Sequence, residues 1–314
     1  MNNPKFSILD HRVAGWYYPW MMKGLVPSSS PLLDKVRLMK KLGFDGVGTS
    51  WWDLVSCYQE RGDLCQVKRL SEELNFPITA YGFVADGWAF GQGKAQRNAI
   101  LLGQYSLNLA QAAGCLNPYL LGPFDAGNVR DAAKTFRELC QYAGQFGMTL
   151  ALEFVGISPL INNLNTALDV LEFADAENGG VAIDSYHFFA GTSALKDLEQ
   201  VPLSKIHLVH LADGPADLSD PAVELDRQMP GEGQLPLVDF IGVLLNRGFD
   251  GFWHIECIRG SDYASELAPV AERGLHLAKE IVSRAMSHGS EPRSNEAPRL
   301  TKKERPSFLN EEHV

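Results

Sequence analysis

Four short apolar runs each end in a side chain that can bind a cation or move a proton. Leu150-Ala151-Leu152 leads to Glu153, and Val181-Ala182-Ile183 leads to Asp184. Ile206-His207-Leu208-Val209 leads to His210, and Phe252-Trp253-His254-Ile255 leads to Glu256. A single carboxylate after an apolar run is ordinarily a salt-bridge partner. Four such residues at the same depth of successive strands mean something different, because three converging carboxylates repel and resist ionisation unless a cation joins them. Two glutamates, one aspartate and one histidine are a mostly oxygen donor set. Such a set suits one divalent ion, Mn²⁺ first, with Mg²⁺, Co²⁺, Zn²⁺ or Fe²⁺ also accommodated.

Two further residues are placed to reach the same pocket. His187 follows Asp184 by three positions in Asp184-Ser185-Tyr186-His187. Arg227 opens Arg227-Gln228-Met229-Pro230-Gly231-Glu232-Gly233, inside a long connection that runs from Asp213 to Pro236. Long loops on a functional face are commonly binding loops. An arginine there can hold a substrate oxygen or neutralise a developing oxyanion. His207 and His254 lie within the runs and read as structural.

The elements that must position these residues form a rhythm. Candidate strands are Arg12–Trp16, Gly46–Ser50, Ile78–Phe83, Tyr119–Gly122, Thr149–Phe154, Gly180–Asp184, Lys205–Ala212 and Gly251–Cys257. Amphipathic stretches separate or follow them: Leu32–Leu42, Asp63–Leu74, Ala95–Ala113, Val129–Phe146, Asn163–Asn178, Ala194–Glu199, Pro236–Arg247 and Ser265–Arg284. Strands alternating with helices argue for parallel βαβ units. Eight such units predict a (β/α)8 TIM barrel, whose active site lies at the C-terminal ends of the strands. No strand–Gly-x-Gly-x-x-Gly–helix unit supports a doubly wound sheet instead. Leu42-Gly43-Phe44-Asp45-Gly46 and Arg247-Gly248-Phe249-Asp250-Gly251 are near copies, each with a glycine where a left-handed residue ends a helix.

The barrel is expected over 1–286 and a disordered polar tail over 287–314. The tail holds five basic and five acidic residues, so the net charge of −10 belongs to the barrel. That acidity argues against a nucleic-acid partner, whose phosphates need neutralising cations. No apolar run is long enough to cross a membrane, and no signal peptide is legible at the N-terminus. Five scattered cysteines without a C-x-x-C pair suggest free thiols and a cytoplasmic location. Aromatics at Trp16, Tyr17, Tyr18, Trp20, Trp51, Trp52, Trp88 and Phe90 fall after the first three strands. At a barrel mouth they would suit stacking on a sugar or cyclitol face, or ordinary packing.

Glu153, Asp184 with His187, His210 with Asp213, Arg227 before Pro230-Gly231-Glu232-Gly233, and Glu256 together resemble the sugar phosphate isomerase/epimerase family. This is the xylose isomerase-like TIM-barrel group of ketose 3-epimerases, inosose isomerases and dehydratases, and dehydroshikimate dehydratase. The resemblance is strongest over 146–258. It implies that Glu153, Asp184, His210 and Glu256 hold the metal, and that His187 and Arg227 contact substrate oxygens. It also implies that Glu153 and Glu256 are catalytic, exchanging a proton with a keto-sugar or cyclitol through a metal-bound enediolate. Loss of a β-hydroxyl from the same intermediate would instead make the enzyme a lyase, dehydrating an inosose or dehydroshikimate or eliminating from a 3-keto-glycoside, and the residue types alone do not choose. An endonuclease IV-like repair enzyme would need more histidines and a basic face. A non-enzymatic sugar-binding subunit would have no need of an intact quartet. Gly48-Thr49-Ser50-Trp51-Trp52 departs from relatives that carry an acidic residue at this strand end, so no substrate contact is carried over to the N-terminal half. Phosphate recognition has no motif here. A homo-oligomer is in keeping with the group, although the sequence shows no interface.

Overall fold

The computed structural model describes residues 3–9, 31–85, 87–90, 92–125, 127–191, 193–218, 227–256 and 266–288. Eight strands alternate with helices along the chain. They are β1 (Lys5–Leu9), β2 (Val47–Ser50), β3 (Ile78–Phe83), β4 (Pro118–Leu121), β5 (Leu150–Glu153), β6 (Gly179–Asp184), β7 (Ile206–Leu211) and β8 (Phe252–Glu256). The helices are α1 (Leu32–Leu42), α2 (Trp51–Arg61), α3 (Cys65–Glu73), α4 (Gly93–Ala113), α5 (Val129–Gly144), α6 (Leu164–Ala174), α7 (Ser185–Ala190), α8 (Leu195–Leu198), α9 (Leu237–Asn246) and α10 (Leu267–His288).

Every paired strand is parallel, in the order β1-β8-β7-β6-β5-β4-β3-β2. The seam between β1 and β2 is bridged at its lower end. Asp45 N–H donates to the Phe6 carbonyl at 2.9 Å, and the Asp45 carboxylate accepts from Phe6 N–H at 2.9 Å. The sheet is therefore a nearly closed barrel with helices outside.

Two cores follow from this geometry. The larger lies between the outer face of the sheet and the helices, with fully buried residues such as Val36, Leu107, Phe136, Leu164 and Phe240. The smaller fills the barrel with Ala80, Tyr119, Ala151, Ala182 and Leu208. Small side chains on three of these strands leave room for rings. Tyr119 lies against Gly82, where an added Cβ would sit 2.5 Å from the phenol oxygen. The tyrosine ring then meets His210 edge-on at 5.0 Å, and His210 meets His254 at 5.5 Å.

Several sequence expectations need correction. The first strand is Lys5–Leu9, and Arg12–Trp16 lies outside the described residues. Lys5-Phe6-Ser7-Ile8-Leu9 aligns residue for residue with Phe252–Glu256, which is what a closing strand requires. The segment after β2 is helical from Trp51, not only from residue 63. Ser50 and Asp53 form a capping box there, and such reciprocal bonds start a helix whatever the intervening residues. The last helix reaches His288, so Ser287 and His288 belong to it rather than to a tail. Residues 289–314 lie outside the described residues. Gly43 and Gly248 have φ of +85° and +91°, as the repeated turn motif predicts. No helix among the described residues is long and apolar enough to cross a membrane.

Candidate active site

The expected quartet converges. Glu153, Asp184, His210 and Glu256 each place one ligand-type atom within 4.8 Å of the others, and all four side chains are buried. Register explains this: Asp184 is the direct partner of His210, and Glu153 pairs with Ala182, two residues deeper on β6. His210 Nδ1 lies 2.7 Å from Glu153 Oε1 and 2.8 Å from Glu256 Oε2. A single N–H cannot serve two carboxylates equally well at these distances. A divalent ion among the four residues would answer both, so the donor set fits a metal.

Asp184 has two tasks. It ends β6 and caps α7, where Oδ1 accepts from His187 N–H at 2.7 Å. Its Oδ2 accepts from Arg227 Nη1 at 3.1 Å. Arg227 is only 1% exposed, and the same nitrogen is 3.7 Å from Glu256 Oε2. Its guanidinium also lies 4.7 Å from the Tyr186 ring centre, a cation–π arrangement. His187 Nε2 is 2.9 Å from Arg227 Nη2, and its Nδ1 faces Gly156 N–H at 3.2 Å. A neutral imidazole accepts at only one of these nitrogens.

Burial dominates the electrostatics. It raises Glu153 above the usual carboxylate range, with His210 opposing and Glu256 reinforcing the shift. It pushes Asp184 up to about 6 despite the Arg227 guanidinium. It drives His187 down to about 3, helped by Arg227, and His254 down to about 3, helped by His210. Burial also disfavours the charged form of His210, but Glu256 and Glu153 outweigh it and raise that imidazole well above its ordinary value. The cluster thus competes for protons wherever it lacks a metal.

The histidines read as structural are placed in two ways. His254 lies inside the barrel with Nδ1 3.3 Å from the Val209 carbonyl. His207 packs against Gly180, where a Cβ would approach its ring to 2.5 Å. Among the aromatics, Trp51 and Trp52 open α2, Trp88 is buried and Phe90 is exposed. Trp16, Tyr17, Tyr18 and Trp20 lie outside the described residues. Asp53 stands three positions after the end of β2. There it is paired with buried Lys35 at 2.8 Å and accepts from Thr49 Oγ1 and from Ser50 N–H and Oγ.

Sequence reasoning missed Tyr186 and Tyr119 as neighbours of the site. Tyr186 sits between Asp184 and His187, so a short helix capped by Asp184 would have signalled it. Tyr119 needed the gap at Gly82, which only the packed barrel shows.

Comparison with known proteins follows the geometry. The profile of the family described as xylose isomerase-like TIM barrel matches residues 36–281. An inosose isomerase of Halalkalibacterium halodurans is 28% identical over 156 residues, covering 49% of this chain and 55% of the relative. A 3-dehydroshikimate dehydratase of Pseudomonas putida is 24% identical over 256 residues, covering 80% of this chain and 40% of the relative. The alignments thus span about half, or less, of these curated relatives' own length. Among solved structures, the IOLI protein with a bound zinc atom superposes with a TM-score of 0.75 at 19% identity, covering 90% of this chain and 99% of that one.

Proposed function

The chain belongs to the xylose isomerase-like TIM barrel family, and from that premise we propose that it is a divalent-metal-dependent isomerase or epimerase of a sugar, keto-sugar or cyclitol. The observation that carries the reading is the pair of carboxylates, Glu153 and Glu256, reaching the same His210 nitrogen from strands three steps apart around the barrel. In this reading Glu153, Asp184, His210 and Glu256 hold the ion, with Mn²⁺ the first choice. When bound, the ion polarises a carbonyl and acidifies the adjacent C–H.

The chain's own residues do the rest. One of Glu153 and Glu256 removes the proton from the carbon beside the carbonyl, leaving an enediolate. The other returns a proton to the opposite face of the same carbon, giving epimerisation, or to the neighbouring carbon while a proton passes between the two oxygens, giving isomerisation. Arg227 and His187 hold substrate oxygens, with the guanidinium countering charge that develops there.

A dehydratase uses the same residues, with the enediolate expelling a β-hydroxyl. The dehydroshikimate dehydratase relative, aligned over 80% of this chain, favours that second reading. Against dehydroshikimate as its substrate, Arg227 is the cation that touches the quartet among the described residues, and it is already paired with Asp184. That arrangement suits an uncharged polyol better than a carboxylate-bearing substrate. A cytoplasmic location belongs to the reading and draws on the free thiols of Cys57, Cys65, Cys115 and Cys140.

Solvent deuterium uptake into a panel of inososes and keto-sugars tests the proposal. Metal-dependent incorporation at the carbon beside the carbonyl, lost in Glu153→Gln and Glu256→Gln, is expected. A conjugated enone absorbing in the ultraviolet would assign the dehydratase instead. No incorporation and no elimination across the panel would count against both.

A further inference from the structure

The connection between β7 and α9 carries Arg227, and its described part is gathered by one side chain. Asp213 is 1% exposed and follows β7 by two residues. Its Oδ1 accepts from Gly214 N–H at 2.8 Å and from Leu235 N–H at 3.0 Å. Its Oδ2 accepts from Gly231 N–H at 3.0 Å. The Asp213 backbone also exchanges two hydrogen bonds with Gln228, at 2.9 and 2.8 Å. Gln234 N–H donates to the Gly214 carbonyl at 2.8 Å. A Cβ on Gly233 would stand 2.3 Å from Asp213 Oδ1, so the carboxylate fills a space that only glycine leaves. The far side of the loop is fixed to α10, where Met229 packs beside Gly274 and Glu232 pairs with Arg273 through both oxygens, at 2.9 and 2.6 Å.

We propose that Asp213 is the positioning residue of Arg227. Its carboxylate folds residues 228–235 into a fixed platform, and the backbone bridge at Gln228 delivers the preceding guanidinium to Asp184. A carboxylate is suited to this because it offers only acceptors, and all three groups it meets are backbone donors. An asparagine of the same shape would turn N–H groups toward at least one of those donors. The loop's fixed shape therefore depends on charge and geometry together, while no chemistry is asked of Asp213 itself.

Three variants of the full chain test this: Asp213→Asn, Arg227→Gln and the pair combined. Hydrogen–deuterium exchange reads the platform. Asp213→Asn should speed exchange over 227–236 by about tenfold while β5 and β6 keep their protection. Mn²⁺ titration reads the guanidinium and rests on the proposed metal centre. Loss of an outer partner of a metal ligand typically weakens binding about tenfold or more. Both single variants should show that loss, and the double variant should bind no more weakly than Arg227→Gln alone. Losses that add in the double variant, or unchanged exchange over 227–236, would overturn the proposal. If the unaltered chain takes up no Mn²⁺, the metal reading falls while the exchange result still decides the clamp. Should Asp213→Asn fail to fold, Gly233→Ala crowds the same carboxylate with its charge retained, and the same two outcomes apply.

Discussion

The ends of β5 to β8 and the end of β2 both bury ionisable groups, and they treat them in opposite ways. At β2 the charge is matched on the spot: Asp53 receives Lys35 and donors from Thr49 and Ser50. At β5 to β8 three carboxylates meet one histidine and one arginine, and burial lifts Glu153 and Asp184 above their ordinary range. The first arrangement ties α1 to α2. The second leaves three buried carboxylates around His210 with Arg227 paired to Asp184, a pattern that marks a candidate site. Within one barrel, the half that settles its charges holds the fold, and the half that leaves them unsettled is where chemistry is proposed.

The sharpest break of that contrast is kinetic. Glu153→Gln should lower the rate of deuterium exchange into a substrate by about 10²–10⁴-fold, the usual worth of a positioned acid or base. Lys35→Met should leave that rate within about twofold, measured in the same assay. A large loss of rate in Lys35→Met would move the β2 pair into the site.

The next effect is on stability and should run the other way round. Lys35→Met leaves the Asp53 charge buried without its cation, at a cost of about 3 kcal/mol in denaturant unfolding. Mn²⁺ affinity should not change in the same variant.

The pH dependence follows from the same shifts. Asp184 sits at about 6 in the folded protein, above the ordinary aspartate value. A raised carboxylate contributes stability that is full below the unfolded value, about 4, and is lost as pH rises through about 6. His210, also raised, contributes in the same sense at higher pH. The metal-free protein should therefore lose about 2 kcal/mol between pH 4 and pH 7 on account of Asp184. Mn²⁺ should raise the Tm more at pH 8 than at pH 5, because protons compete with it at the lower pH. Equal metal-induced shifts at both would contradict the assignment.

The smallest effect links the two halves. Gly82→Ala on β3 would push the Tyr119 ring, which lies edge-on to His210. Overpacking of this kind costs about 1–3 kcal/mol, and thermal unfolding should place it near the lower value, with a modest loss of Mn²⁺ affinity.

The barrel was legible because apolar runs of strand length alternate with amphipathic helices, and the quartet because each run stops at a metal-binding type. Other parts were hidden for particular reasons. Lys5–Leu9 is short and close to the N-terminus, and its role as a strand appears only when it aligns with β8. The six residues of α7 are too few to show a helical period, so the helix that Asp184 caps, and that carries His187, leaves no signal in the sequence. Asp213 stood in the sequence as part of the family pattern without a stated task. Its partners are backbone N–H groups as far as 22 residues away, and no side-chain spacing encodes those.

The central claim is that the four strand ends form a metal centre, and calorimetric titration of metal-free protein with Mn²⁺ tests it most directly. The account predicts one ion bound per chain, proton release that grows as the pH is lowered toward 6, and loss of binding in Glu153→Gln and Asp184→Asn but not in Lys35→Met. Absence of stoichiometric binding by Mn²⁺, Co²⁺, Zn²⁺ and Mg²⁺ alike, or binding that the quartet variants leave intact, would contradict it.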